Sequence, residues 1–170
     1  TGWQTIGENK YYFNSKGVMT KGWATIDGNK YYFGKISGKL ATGWTTISGK
    51  KYYFGTDGVK QTGWITVGSN KYYLGTDGVR RTGWRTIDGN RYYFGKSSGQ
   101  LYTGWATIGG KKYYLGTDGV MVTGKQTING VVYEFGKDGV LKGKVEEQDK
   151  EPDKQPENDQ TTKDNKSDNE

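Results

Sequence analysis

Six tryptophans stand at positions 3, 23, 44, 64, 84 and 105, written Trp3, Trp23, Trp44, Trp64, Trp84 and Trp105 below. Nine residues after each comes a tyrosine: Tyr12, Tyr32, Tyr53, Tyr73, Tyr93 and Tyr114. Two residues before every one of those tyrosines is a cation, in order Lys10, Lys30, Lys51, Lys71, Arg91 and Lys112. Indole and phenol rings offer flat apolar faces with a polar edge, and the cation adds hydrogen-bond donors. Such a set can cover the apolar face of a sugar while donating to its hydroxyls, or hold a cation over a π-face.

Bond-breaking chemistry is poorly supported. With no histidine and no cysteine, the usual general-base and nucleophile pairs are missing. The eight carboxylates of residues 1–145 recur by architecture. Asp57, Asp77, Asp118 and Asp138 occupy D-G turns, where Asp is favoured for its local hydrogen bonds. Glu8, Asp27 and Asp88 sit in or beside hairpin turns, and Glu134 falls in the last unit. Glycoside hydrolysis needs two positioned acids in unlike environments, and calcium needs six to eight oxygen ligands. One turn carboxylate per unit meets neither requirement, so no catalytic residue, metal or cofactor is expected.

The elements that position the aromatic set are repeated hairpins. The phrase GWATIDGNKYYFG, from Gly22, returns as GWTTISGKKYYFG from Gly43, GWRTIDGNRYYFG from Gly83 and GWATIGGKKYYLG from Gly104. The tryptophan spacing of 20 or 21 residues marks a repeat array. Within a unit, a β-prone W-x-T-I/V stretch meets a two-residue turn such as Asp27-Gly28, then K-Y-Y-F/L. These turns tolerate positive φ, as a type I′ hairpin requires. A second Gly-centred turn and one aliphatic residue (Val59, Val79, Leu101) lead to the next unit.

A two-residue turn fixes the register: Ile26 opposite Asn29, Thr25 opposite Lys30, Trp23 opposite Tyr32. Trp23, Thr25, Lys30 and Tyr32 then share one face, and Ile26, Tyr31 and Phe33 the other. A seventh unit, at about 124–143, keeps Ile128, Tyr133 and Phe135 but has Lys125 for the tryptophan and Glu134 for the second tyrosine. The Ile/Tyr/Phe face is therefore expected to be core, and Lys125 and Glu134 a solvated pair on a terminal cap. The tryptophan face needs either a following repeat or a ligand.

Composition agrees with short strands that bury aromatics. Hydrophobic residues make up 31% and aromatics 15%, with 29 glycines. No window of about 18 apolar residues exists, so no membrane span is expected. Residues 1–145 hold 21 Lys and Arg against eight acids, whereas residues 146–170 hold four Lys against ten acids and no aromatic, Ile, Leu or Val. The latter segment reads as a disordered linker or tail. The basic body carries no recognised nucleic-acid motif, and its cations recur at fixed repeat positions, so nucleic acid is not an expected partner. Opening at Thr1 inside the repeat phrase, without a signal-peptide pattern, the chain reads as an excised or mature piece.

The G-W-x-T-I-x-G-x-K-Y-Y-F…G-V-x-x-T-G-W pattern over residues 1–145 resembles the cell-wall-binding repeats of Gram-positive bacteria. That group comprises choline-binding modules, glucan-binding repeats and the short repeats of clostridial toxins. The resemblance implies a β-solenoid of stacked hairpins that attaches its parent protein to a surface polymer, outside the cell and without chemistry of its own. In choline-binding repeats a second tryptophan precedes the Tyr-Tyr pair; here Lys10, Lys30, Lys51, Lys71, Arg91 and Lys112 stand there, and a cation repels a quaternary ammonium.

The expectation is thus an all-β solenoid of 20–21-residue hairpin repeats over 1–145, binding cell-wall polysaccharide, teichoic acid or another glycan. Choline-decorated teichoic acid, a host glycan and a purely structural spacer are the alternatives. The expected binding residues are the six tryptophans and the six second tyrosines named above, with Lys30, Lys51, Lys71 and Arg91 as polar contacts.

Overall fold

The computed structural model describes residues 1–145; residues 146–170, and with them the tail reading, lie outside the described residues. Seven antiparallel hairpins follow one another. They pair β1 (Gly2–Ile6) with β2 (Asn9–Phe13), β3 (Gly22–Ile26) with β4 (Asn29–Phe33), β5 (Gly43–Ile47) with β6 (Lys50–Phe54), and β7 (Gly63–Val67) with β8 (Asn70–Leu74). The remaining pairs are β9 (Gly83–Ile87) with β10 (Asn90–Phe94), β11 (Gly104–Ile108) with β12 (Lys111–Leu115), and β13 (Gly124–Ile128) with β14 (Val131–Phe135). A short β15 (Leu141–Lys144) adds a third strand to the last hairpin.

The register is the expected one in every unit: Trp3 faces Tyr12, Trp23 faces Tyr32, and so on to Lys125 facing Glu134. Five of the turns carry positive φ at both central residues, as at Asp27 (50°) and Gly28 (78°), the type I′ signature. At Gly7-Glu8 and Gly68-Ser69 only the glycine is positive, which is the type II′ alternative.

The all-β solenoid is borne out, and its core lies between hairpins. Phe33, Phe54, Leu74, Phe94 and Leu115 are fully buried, and Ile26, Ile47, Ile87 and Ile128 nearly so. Each such face receives the tryptophan of the preceding hairpin: Trp3 lies 5.0 Å from Tyr31 and 5.8 Å from Phe33 between ring centroids. The two faces of the sequence reading are thus the two sides of one repeated interface. Each edge-to-face ring pair adds about 0.5–1.5 kcal/mol beyond area burial.

Connectors stitch the stack together. The amide of Leu40 donates to the carbonyl of Lys10 at 2.9 Å, Lys60 to Lys30 at 2.8 Å, Arg80 to Lys51 at 2.8 Å, Leu101 to Lys71 at 2.9 Å and Met121 to Arg91 at 2.7 Å. Every bond runs one hairpin back. The same connector residues lie against the positive-φ glycine of the next connector, so a Cβ on Gly119 would meet Leu101 at 2.7 Å.

At the cap the expected pairing is corrected. Lys125 and Glu134 are register partners, but the ion pair of Glu134 is with Lys142 on β15, at 2.8 Å. The chain bends back after Gly139 to lay β15 against β14 and brings Lys142 over the same face. That hydrogen bond and charge hold the Glu134 carboxyl below the usual carboxylate range and raise the Lys142 ammonium.

Candidate functional site: aromatic grooves between hairpins

Each tryptophan is held by two rings. Its own hairpin supplies the second tyrosine, with Trp–Tyr centroids 5.1–5.2 Å apart at all six units. The next hairpin supplies the first tyrosine of the Tyr-Tyr pair: Tyr31, Tyr52, Tyr72, Tyr92, Tyr113 and Tyr133, at 4.9–5.1 Å. The expected companions Tyr12, Tyr32, Tyr53, Tyr73, Tyr93 and Tyr114 back the indoles edge-on. Tyr93 is buried among them, its ring 5.1 Å from Tyr102.

The rings leave cavities. One of about 330 Å³ is lined by Trp3, Lys10, Tyr31 and Asp57; a second, about 340 Å³, by Trp23, Lys30, Tyr52, Lys60 and Asp77. A third, about 250 Å³, is lined by Trp64, Lys71, Tyr92 and Asp118. Indole and the cation opposite its strand (Lys10, Lys30 or Lys71) come from one hairpin, tyrosine from the next, and carboxylate from the connector two units on. Lys60 reaches the second cavity from the connector one unit on. Trp3, Trp23 and Trp64 are 38–40% exposed, so part of each ring faces solvent.

Sequence reasoning missed the first tyrosines and the aspartates of this set. Its signal for the aspartates was local: Asp57, Asp77 and Asp118 do hold their turns, each accepting the amide of Val59, Val79 or Val120 at 2.9 Å. The hydrogen bonds these aspartates accept all go to one carboxylate oxygen, Oδ1. Burial raises the Asp77 carboxyl, but the Val79 amide and the Arg81 guanidinium, 3.0 Å away, outweigh it, and the group is held below its ordinary value. Lys60 is lowered by burial and by Lys30, partly offset by Asp77.

At the other three tryptophans the chain places its own cation over the ring. Arg91 Cζ is 4.7 Å from the Trp84 centroid, Lys112 Nζ 5.1 Å from Trp105, and Arg80 Cζ 5.9 Å from Trp44. Such contacts are worth about 0.5–2 kcal/mol. Lys51 instead lines a separate groove with Lys50. Among the described residues no group of three or more His, Cys, Asp or Glu could hold a metal ion, and no helix is long and apolar enough to cross a membrane.

A family model described as choline-binding repeat matches residues 1–42, 41–77, 61–103 and 102–144. Choline binding protein F from Streptococcus pneumoniae, solved in the presence of a peptidoglycan analogue, shares 36% identity with a TM-score of 0.79 over 83% of this chain and 51% of that one. CbpJ from S. pneumoniae TIGR4 shares 34% identity, TM-score 0.77, over 83% and 52%. The modular autolysin LytC from S. pneumoniae shares 28% identity, TM-score 0.61, over 84% and 33%. The chain therefore spans about half the length of the first two. No curated protein matches it.

Proposed function

Since the chain belongs to the choline-binding repeat family, we propose that it is a non-catalytic module that attaches its parent protein to a choline-bearing cell-wall polymer, outside the cell. The observation that supports this most is the composition of the three cavities: Trp3 with Tyr31 and Asp57, Trp23 with Tyr52 and Asp77, Trp64 with Tyr92 and Asp118. A quaternary ammonium is attracted to π-faces and to a carboxylate. The lysine in place of a second tryptophan argues against choline only while it is uncompensated. In these cavities an aspartate faces it, and the lining charge at Trp3 and Trp64 is neutral.

Each cavity has room for a trimethylammonium group and opens to solvent, so a polymer-linked choline can enter without threading. The expected polar contacts Lys30 and Lys71 then bond the linking phosphate or sugar rather than the cationic head. Titration of the full chain with choline, followed by tryptophan fluorescence, tests the reading. Saturable quenching is expected. A flat response at concentrations that saturate other choline-binding repeats sinks it and favours an uncharged glucan or host glycan.

A further inference from the structure

The groove beside Trp44 departs from the other three in charge. Its connector two units on reads G-K-S-S-G-Q where three others read G-T-D-G. Ser98, whose hydroxyl accepts the Gln100 amide, takes the aspartate's turn position, and Ser97 lines the groove. At the connector position held by Leu40, Leu101 or Met121 in other units stands Arg80, and Lys50 stands where four units have asparagine. The result is a groove of about 400 Å³ lined by Lys50, Lys51, Arg80 and Lys96 with the hydroxyls of Thr46 and Thr82, and by no carboxylate. Asp77 feels the charge of Lys50 but is already paired with Arg81.

Arg80 is fixed in place. Its guanidinium donates to the carbonyls of Ser97 (2.8 Å) and Ser98 (2.5 Å), and its Cζ lies over Trp44. Trp44 is correspondingly less exposed than Trp3, Trp23 or Trp64. The indole face that elsewhere could accept a cation is taken by one of the chain's own. Four like charges gathered in one solvated groove repel each other, and an anion with several acceptor oxygens relieves that repulsion through charge-assisted hydrogen bonds.

We infer that the groove formed by Lys50, Lys51, Arg80 and Lys96 binds a phosphate group, and that Arg80 bars a quaternary ammonium from Trp44. The site is independent of the choline reading, because it is defined by an anion and tested without choline. The three grooves with aspartate and this one without would together suit a polymer that carries both charges.

The test is a ¹⁵N-resolved titration of the full chain with inorganic phosphate, against sodium chloride at matched ionic strength. Saturable shifts are expected at the Lys51, Arg80 and Lys96 amides and at Arg80 Nε, and not in chloride. Lys96→Gln should weaken phosphate binding about two- to fivefold, as expected for one exposed charge. Arg80→Leu should do the same, and it introduces the residue that Leu40 and Leu101 already place there. Lys16→Gln, a charge removed from the first connector, should change nothing. Should Arg80→Leu fail to fold, the exposed Lys96 variant decides alone. A further arm uses poly(glycerol phosphate): tighter binding than inorganic phosphate assigns a polymer phosphate, equal or weaker binding a free one. Shifts of equal size in chloride, or binding unmoved by both variants, overturn the inference.

Discussion

On the proposed function Trp64 has two duties that a single truncation cannot separate. Its ring lies 5.2 Å from Tyr73, 5.0 Å from Tyr92 and 5.6 Å from Phe94, so Trp64→Ala removes inter-hairpin packing along with any ligand face. Loss of a largely buried aromatic costs about 3–5 kcal/mol, and the 40% exposure of this one places it at or below the lower end. Asp118 separates the duties. Asp118→Asn keeps an oxygen to accept the Val120 amide, so the turn persists, while the charge facing the cavity disappears. The expected outcome is a two- to fivefold weaker choline response of the Trp64 indole N–H by NMR, about the worth of an exposed charge. The unfolding free energy from urea denaturation should change by less than about 0.5 kcal/mol. Equal loss of stability and affinity would mean that Asp118 acts only through its turn.

At the scale of hairpin and connector, stacking depends on small residues in the left-handed region. Gly119 has φ of 84° and Leu101 beneath it, so Gly119→Ala is both strained and overpacked. A loss of about 1–3 kcal/mol in urea denaturation is expected. Gly143→Ala, with nothing within 4 Å of its Cβ, should cost far less. The cap supplies a pH signature. Glu134 has its carboxyl lowered from 4.5, so its contribution is present above that value and is lost as pH falls through the folded pKa. Lys142 is raised from 10.5, so its contribution is lost only as pH rises past that value. Glu134→Gln should therefore speed amide exchange in β15 near pH 7, by a margin that shrinks as pH falls from 4.5 through the folded pKa; an acceleration independent of pH would exclude the ion pair. Why one part of this was readable in sequence and another was not follows from distance along the chain. Two-residue turns and period-2 alternation set Trp23 opposite Tyr32, and the loss of Trp and Tyr together in the seventh unit marked the exposed end. The partner of Trp23 across the interface, Tyr52, lies one hairpin on, and Asp77 two units on. No local pattern encodes those approaches; they follow from the superhelical path, which the connectors and their backward hydrogen bonds define. β15 and its Lys142 were missed because L-K-G-K carries little strand signal of its own.

Across the whole array, each unit rests chiefly on its neighbours, so stability accumulates unit by unit and the cavities repeat along a fixed scaffold. On the proposed function this geometry makes weak sites useful. A single choline between one indole, one tyrosine and one carboxylate gains little beyond a cation–π contact of about 0.5–2 kcal/mol and a screened charge attraction. A polymer that presents many cholines converts the second and third events into intramolecular ones, and avidity can rise by about 10²–10⁴ where spacing allows. The double variant Asp57→Asn with Asp77→Asn weakens the cavities at Trp3 and Trp23 and leaves the one at Trp64 intact. Free choline, read at the Trp64 indole N–H, should bind this variant as it binds the parent chain. Retention on a surface bearing choline-substituted polymer should fall by about tenfold or more, because the engaged grooves act together. If retention on the polymer instead tracks the affinity of Trp64 for free choline, one groove carries the attachment and the others serve only to stack the hairpins.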